Sequence, residues 1–214
     1  MAEIEIPIDG EVIRGDLVVP PHRSAVVVFA HGSGSSRHSP RNRQVAHRLQ
    51  QDSLATVLVD LLTAQEEAVD LRSGNLRFDV NLLARRLAAT SRWLETRPDV
   101  AGLPVGYFGA STGAAAALVA VAADGEPRVG AVVSRGGRPD LAGDALDRVQ
   151  APTLLIVGGR DEQVLDLNRQ AARRLSREHR LEVVPGATHL FEEPGTLEQV
   201  GNLAAEWFVR WLTA

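Results

Sequence analysis

Residues 105–114 read Val105-Gly-Tyr-Phe-Gly-Ala-Ser-Thr-Gly-Ala114, and this stretch decides the fold. A strand-like run, Val105–Phe108, leads into G-x-S-x-G (Gly109, Ala110, Ser111, Thr112, Gly113). An alanine-rich helical pattern over 112–123 follows at once. A serine on so sharp a strand-to-helix turn presents its hydroxyl at the edge of the sheet, and small flanking residues let the two backbones approach. The helix start places partial positive charge where an oxyanion would form. The plain alternative is a serine N-cap with glycines kept for packing.

Outward from that turn, apolar runs alternate with helical patterns. The runs are Ala25–Ala30, Ala55–Val59, Val129–Val133, Thr153–Val157 and Leu181–Val184. They are short and mostly unalternated, as strands covered on both faces should be. Helices are expected near 40–51, 77–97, 162–177 and 196–212, the clearest being 77–97 with Val80, Leu83, Leu87 and Leu94 on one stripe. This alternation predicts an α/β fold with a mostly parallel, doubly wound sheet. Ahead of it, Ile4, Ile6 and Ile8 alternate with polar residues, Asp9-Gly10 signals a tight turn, and Val12–Val19 forms the return strand of an antiparallel hairpin. No repeat or linker divides the chain, so residues 1–214 read as one domain.

Composition narrows the function. The chain has 214 residues, no cysteine and a net charge of −4, and only 4% of it is aromatic. Disulfides, thiolate metal sites and a cysteine nucleophile are excluded, and a broad basic face for nucleic acid is not expected. The N-terminus, MAEIEIPIDG, has no basic n-region. The longest apolar run, Ala114 to Ala123, is shorter than the roughly 20 residues that span a bilayer. A cytoplasmic protein with no membrane partner is the expectation. His22, His47 and His179 lack metal-ligand spacing, so neither a metal nor a cofactor is expected.

Two further segments carry chemistry. Phe29-Ala-His-Gly-Ser-Gly-Ser-Ser36 follows the first parallel strand, and a glycine-rich loop there can aim amides at an oxyanion. The expected donors are the amides of Ser33 and Thr112. A dinucleotide reading of Gly32-Ser-Gly34 lacks the third glycine, since Arg37 stands in its place. Asp161 and His189 lie on loops after the strands Thr153–Val157 and Leu181–Val184, at the edge where open α/β sheets bind ligands.

The order Ser111, Asp161, His189 is the serine-acid-histidine order of the α/β-hydrolases. The chain resembles that superfamily, and within it the compact dienelactone-hydrolase-like branch. The resemblance is carried by FAHGSGSSRHSPRN at 29–42, GYFGASTGAAAAL at 106–118, LLIVGGRDEQV at 154–164 and PGATHLFEEPG at 185–195. It implies an α/β-hydrolase fold with Ser111, Asp161 and His189 as the catalytic triad, acting on a small-molecule acyl substrate. Dienelactone hydrolases proper carry a cysteine nucleophile. Position 111 is serine, which detaches the dienelactone substrate from the expectation.

Other residues stay open at this level. Asp140 is an alternative acid. Gly34 and His31, at the glycine-rich loop, and Arg135, after a central strand, are candidate substrate contacts. Arg37, His38, Arg41 and Arg43 either attract an acidic substrate or form a solvated helix start with Ser39 as N-cap and Pro40 at N1. Only about 20 residues separate Val129–Val133 from Thr153–Val157, too few for a substantial cap domain. An acyltransferase, a peptidase or a ligand-sensing module on the same fold remain alternatives to an esterase, and the sequence sets no oligomeric state.

Overall fold

The computed structural model describes residues 1–123 and 129–213. Eight strands form one sheet in the order β1-β2-β4-β3-β5-β6-β7-β8. They are β1 (Ala2–Ile8), β2 (Glu11–Val18), β3 (Ala25–Ala30), β4 (Leu54–Val59), β5 (Val105–Ala110), β6 (Val129–Arg135), β7 (Thr153–Gly158) and β8 (His179–Val184). The first hairpin is antiparallel and turns at Asp9-Gly10, both in the left-handed region. β2 joins the sheet antiparallel to β4, and all later pairs are parallel. The α/β-hydrolase fold expected from the sequence is the fold observed.

Both faces of the sheet are covered. Helices α1 (Pro40–Gln51) and α6 (Thr196–Leu212) bury Val45, Leu49, Trp207 and Phe208 against Phe29 and Phe108. Helices α3 (Val80–Leu94) and α4 (Thr112–Ala122) bury Leu83, Leu87 and Leu118 against Val28, Val57 and Tyr107 on the other face. Helix α5 (Glu162–Ala172) follows β7. Central strands β3, β4, β5 and β7 are buried along their whole length, which is why they lack alternation.

Three elements differ from the sequence expectation. The helix placed over 77–97 begins only at Val80, because the Asp79 carboxylate caps it by accepting from the Leu82 N–H at 2.9 Å, and Leu76–Phe78 form a separate 3-10 turn. The helix placed over 162–177 ends at Ala172. Helix α2 (Ala64–Ser73) was not anticipated: its one buried residue is Asp70, so it has no apolar stripe. Thr63 and Glu66 cap it reciprocally. Between β6 and β7 the chain forms only a kinked 3-10 segment, Pro139–Arg148, packed beside α4, so no substantial cap stands there.

All 23 basic residues are arginines. Several form two-pronged bonds to aspartates, as Arg97 does to Asp99, Arg138 to Asp140 and Arg174 to Asp147. The planar guanidinium matches a carboxylate in this way, whereas an ammonium does not.

Candidate active site

Ser111 joins β5 to α4 with φ +50 and ψ −118, a strained backbone for a residue with a side chain. Tight packing enforces it. A Cβ on Gly109 would lie 2.6 Å from the Ala114 nitrogen, and one on Gly113 would lie 2.6 Å from the His31 carbonyl oxygen and closer still to that of Ala30. Ser111 occupies the N-cap position of α4, yet its hydroxyl makes no capping bond. The plain capping explanation therefore does not describe this serine.

Asp161 repeats the pattern. It holds the N-cap position of α5 without capping the helix through its side chain. Its carboxylate instead accepts a hydrogen bond from His189 Nδ1 at 2.6 Å. With the proton on Nδ1, His189 Nε2 keeps its lone pair. The alternative acid, Asp140, is engaged by both prongs of Arg138.

Ser111 and His189 each approach the C-terminal end of β6. The Ser111 N–H donates to the Arg135 carbonyl at 3.2 Å. The next residue, Gly136, has φ +52 and packs against His189: a Cβ there would stand 3.2 Å from the His189 oxygen and 3.5 Å from Cε1. Arg135 itself is buried. Its Nη2 donates to Asn42 Oδ1 at 3.2 Å, and its guanidinium lies 5.9 Å from the centroid of the Phe191 ring.

Beside the elbow is a cleft of about 590 Å³, counting space open to solvent. Residues 31–35 and Thr112 form one wall, including Ser33 and Gly34. His31 ties that wall to the chain after β4: Nδ1 bonds the Gly32 carbonyl at 2.9 Å, and Nε2 accepts from the Leu61 N–H at 3.4 Å. Gly34, at φ +70, lies in the turn closed by the Ser35 N–H to the Gly32 carbonyl. Leu62, Leu71 and Leu83 give the cleft an apolar side, and Ser111, His189 and Arg135 are not among its lining residues.

Arg77 is one of several lining residues that sequence reading missed, with Asp60, Glu67 and Asp70. Its main-chain N–H and Nε donate to the Asp70 carboxylate, Nε at 2.6 Å, and Nη2 donates to the Asp70 carbonyl at 3.0 Å. A Cβ on Gly34 would lie 3.8 Å from Nη1. Burial pushes the Asp70 carboxyl up, but the Arg77 hydrogen bonds and charge outweigh it and hold the group below the usual range. The signal in the sequence was the capping pair Thr63–Glu66, which announces the helix that brings Arg77 here.

The 37–43 cluster is bound to carboxylates. Arg37 contacts Asp60, Glu3 and Asp16, and Arg43 pairs with Asp16. Ser39 caps α1 and Pro40 opens it. Among the described residues, no group of three or more His, Cys, Asp or Glu is placed to hold a metal, and no helix is long and apolar enough to cross a membrane.

A serine elbow above a parallel sheet, with an aspartate–histidine pair on the loops after β7 and β8, defines an α/β-hydrolase. More narrowly, the chain belongs to the dienelactone hydrolase family, whose model matches residues 13–211. The crystal structure of the dienelactone hydrolase from Anabaena variabilis ATCC 29413 is 55% identical and superposes with a TM-score of 0.95, covering 99% of this chain and 97% of that one. A Mycobacterium tuberculosis (strain H37Rv) protein provisionally named a phosphoribosyl transferase is 59% identical over 207 residues. That match covers 97% of this chain but 46% of the relative, so the chain spans about half the length of the curated relatives it matches. Est1E from Butyrivibrio proteoclasticus shares the fold at 16% identity, with a TM-score of 0.81 and 98% of each chain covered.

Proposed function

We propose that the chain is a serine hydrolase of small carboxylic esters, thioesters or lactones. The observation that carries this reading is the pair of N-cap residues, Ser111 and Asp161, whose side chains do not cap their helices, together with the 2.6 Å bond from Asp161 to His189. In this reading His189 Nε2 takes the Ser111 proton as the hydroxyl attacks the carbonyl carbon. Asp161 orients the imidazole and stabilises the imidazolium that forms. The amides of Ser33 and Thr112 receive the oxyanion, and the α4 N-terminus adds its partial positive charge. His189 then protonates the leaving group. Water deprotonated by His189 next attacks the acyl-enzyme and frees Ser111.

The cleft reaches the elbow at Thr112, which suits a small acyl group laid across that edge: three leucines form its apolar side, and Gly34, His31, Arg77 and the carboxylates Asp60, Glu67 and Asp70 its polar side. The mycobacterial relative's name belongs to a protein about twice as long. A nucleophilic serine with a histidine base suits acyl transfer and gives no help to displacement at a ribose carbon, so we do not carry that activity to this chain.

The test is a panel of p-nitrophenyl and lactone substrates with wild type and Ser111→Ala, paired with a fluorophosphonate probe. Turnover and labelling should both disappear in the variant while its circular dichroism is unchanged. Ester cleavage that survives the substitution would overturn the assignment.

A further inference from the structure

Arg135, the last residue of β6, is a buried cation beneath the reaction site. It is 7% exposed, and its Nε is buried with no hydrogen-bond partner. Its side-chain partners are one neutral amide oxygen, on Asn42, and one ring face, on Phe191. Among the described residues no carboxylate compensates it: burial, and after it the like charge of Arg41, bring the guanidinium down to about 10, which leaves it charged at neutral pH. A buried ion without a counter-ion is costly, and an apolar side chain of similar volume usually packs in such a place without loss of stability. Stability does not account for an arginine here.

Its connections run to both halves of the site. The Arg135 carbonyl receives the Ser111 N–H. Its ring partner, Phe191, is buried and held at φ +56. Phe191 closes the turn that carries His189, donating its N–H to the Thr188 carbonyl at 3.2 Å. A Cβ on Gly136 would touch both the Phe191 ring and His189 at 3.5 Å. The other charged groups around this turn are Asp161, bonded to His189; Glu193, bonded to the Thr188 N–H and near Arg160; Glu192 paired with Arg41; and Asp140 paired with Arg138.

We infer that Arg135 is a positioning residue for His189. Its guanidinium lies over the Phe191 ring and holds that strained turn, so that the loop carrying His189 keeps its place. The inference rests on the proposed role of His189 as general base.

The experiment compares wild type, Arg135→Met and Arg135→Lys by the NMR signals of the His189 imidazole at one fixed pH, assigned by the signal lost in His189→Gln. Both kcat and KM for a neutral ester are measured alongside. Releasing the Phe191 turn should shift and broaden the His189 signals and lower kcat roughly tenfold or more, since small displacements of reacting groups are costly. Lysine, which keeps a cation over the ring, should restore both in part, with KM for the neutral ester unchanged in all three proteins. If the methionine variant is not folded by circular dichroism, Arg135→Gln serves in its place. His189 signals and a kcat that do not change overturn the inference. So does a KM that rises only for esters with an anionic group while the His189 signals stay, which would make Arg135 a substrate anchor. Failure of the hydrolase reading is distinguishable, because turnover would then survive Ser111→Ala while the imidazole signals remain measurable without substrate.

Discussion

Replacing Gly113 with alanine tests whether the elbow is held by backbone contact. The added methyl would lie 2.6 Å from the His31 carbonyl oxygen and closer to that of Ala30, and both obstacles are main chain. No rotamer change relieves such a clash, so β3 and α4 must separate by the better part of an ångström. Overpacking of this kind costs about 1–3 kcal/mol, and the upper end applies to rigid obstacles. The gain in helix propensity offsets about 1 kcal/mol of it. The net loss is about 2 kcal/mol, or roughly 4–8 °C in Tm for a domain of this size. The effect on turnover should be larger in proportion. The displaced helix carries Ser111 and the Thr112 amide at its start, and a 1 Å misplacement of reacting groups can cost about 10²-fold. The matched control is Gly102→Ala, where φ is +75 and nothing lies within 4 Å of the new methyl. That variant should lose about 1 kcal/mol to left-handed strain and keep its activity. Thermal melts and ester kinetics on the three proteins decide the matter. A Gly113→Ala protein with the Tm and kcat/KM of wild type would refute the contact argument.

Three other outcomes are expected. Asp161→Asn, which no longer fixes the His189 tautomer, should lower kcat roughly 10³- to 10⁴-fold with little change in KM for the same ester. Asp70→Asn removes the charge that orients Arg77, so KM should rise several-fold with kcat within about twofold, and equal losses in both constants would count against Arg77 as a binding group. Tyr107, the chain's single tyrosine, is fully buried with its hydroxyl 2.8 Å from Ser91 Oγ, and burial pushes the phenol well above its ordinary value. The native state therefore favours the protonated phenol. This contribution is complete below pH 10 and declines above it, by up to about 1.4 kcal/mol per pH unit while the folded phenol stays protonated. Absorbance near 295 nm should show no tyrosinate until alkaline unfolding, and a smooth titration near pH 10 in the folded protein would contradict this burial.

What could be read from the sequence follows the strength of the local signals. The parallel core was legible because its strands are short runs of Val, Leu, Ile and Ala between helices, and the hairpin because Asp9-Gly10 requires a turn. Ser111, Asp161 and His189 could be nominated because each follows an apolar strand. Their local geometry could not: φ +50 at Ser111 depends on β3, β5 and β6 lying side by side, and the withheld cap at Asp161 on β8 lying beside β7. Helix α2 was missed because its amphipathic signal is weak, its buried residue being an aspartate that neutralises an arginine. Arg77 was missed with it. The strand order at the hairpin edge was equally hidden, since nothing in Glu11–Val18 says that it pairs with β4 instead of β3.

The all-arginine complement of cations has a consequence for chemical labelling. With no lysine and no cysteine anywhere in 214 residues, the chain offers neither a side-chain amine nor a thiol to an activated acyl group. Protonated guanidinium groups are poor acceptors. An acyl donor meeting this protein finds few competitors for an activated serine, the α-amino group aside. A single added mass on the intact chain would therefore report on the elbow with unusually little background, and slow loss of that mass would time the release step directly.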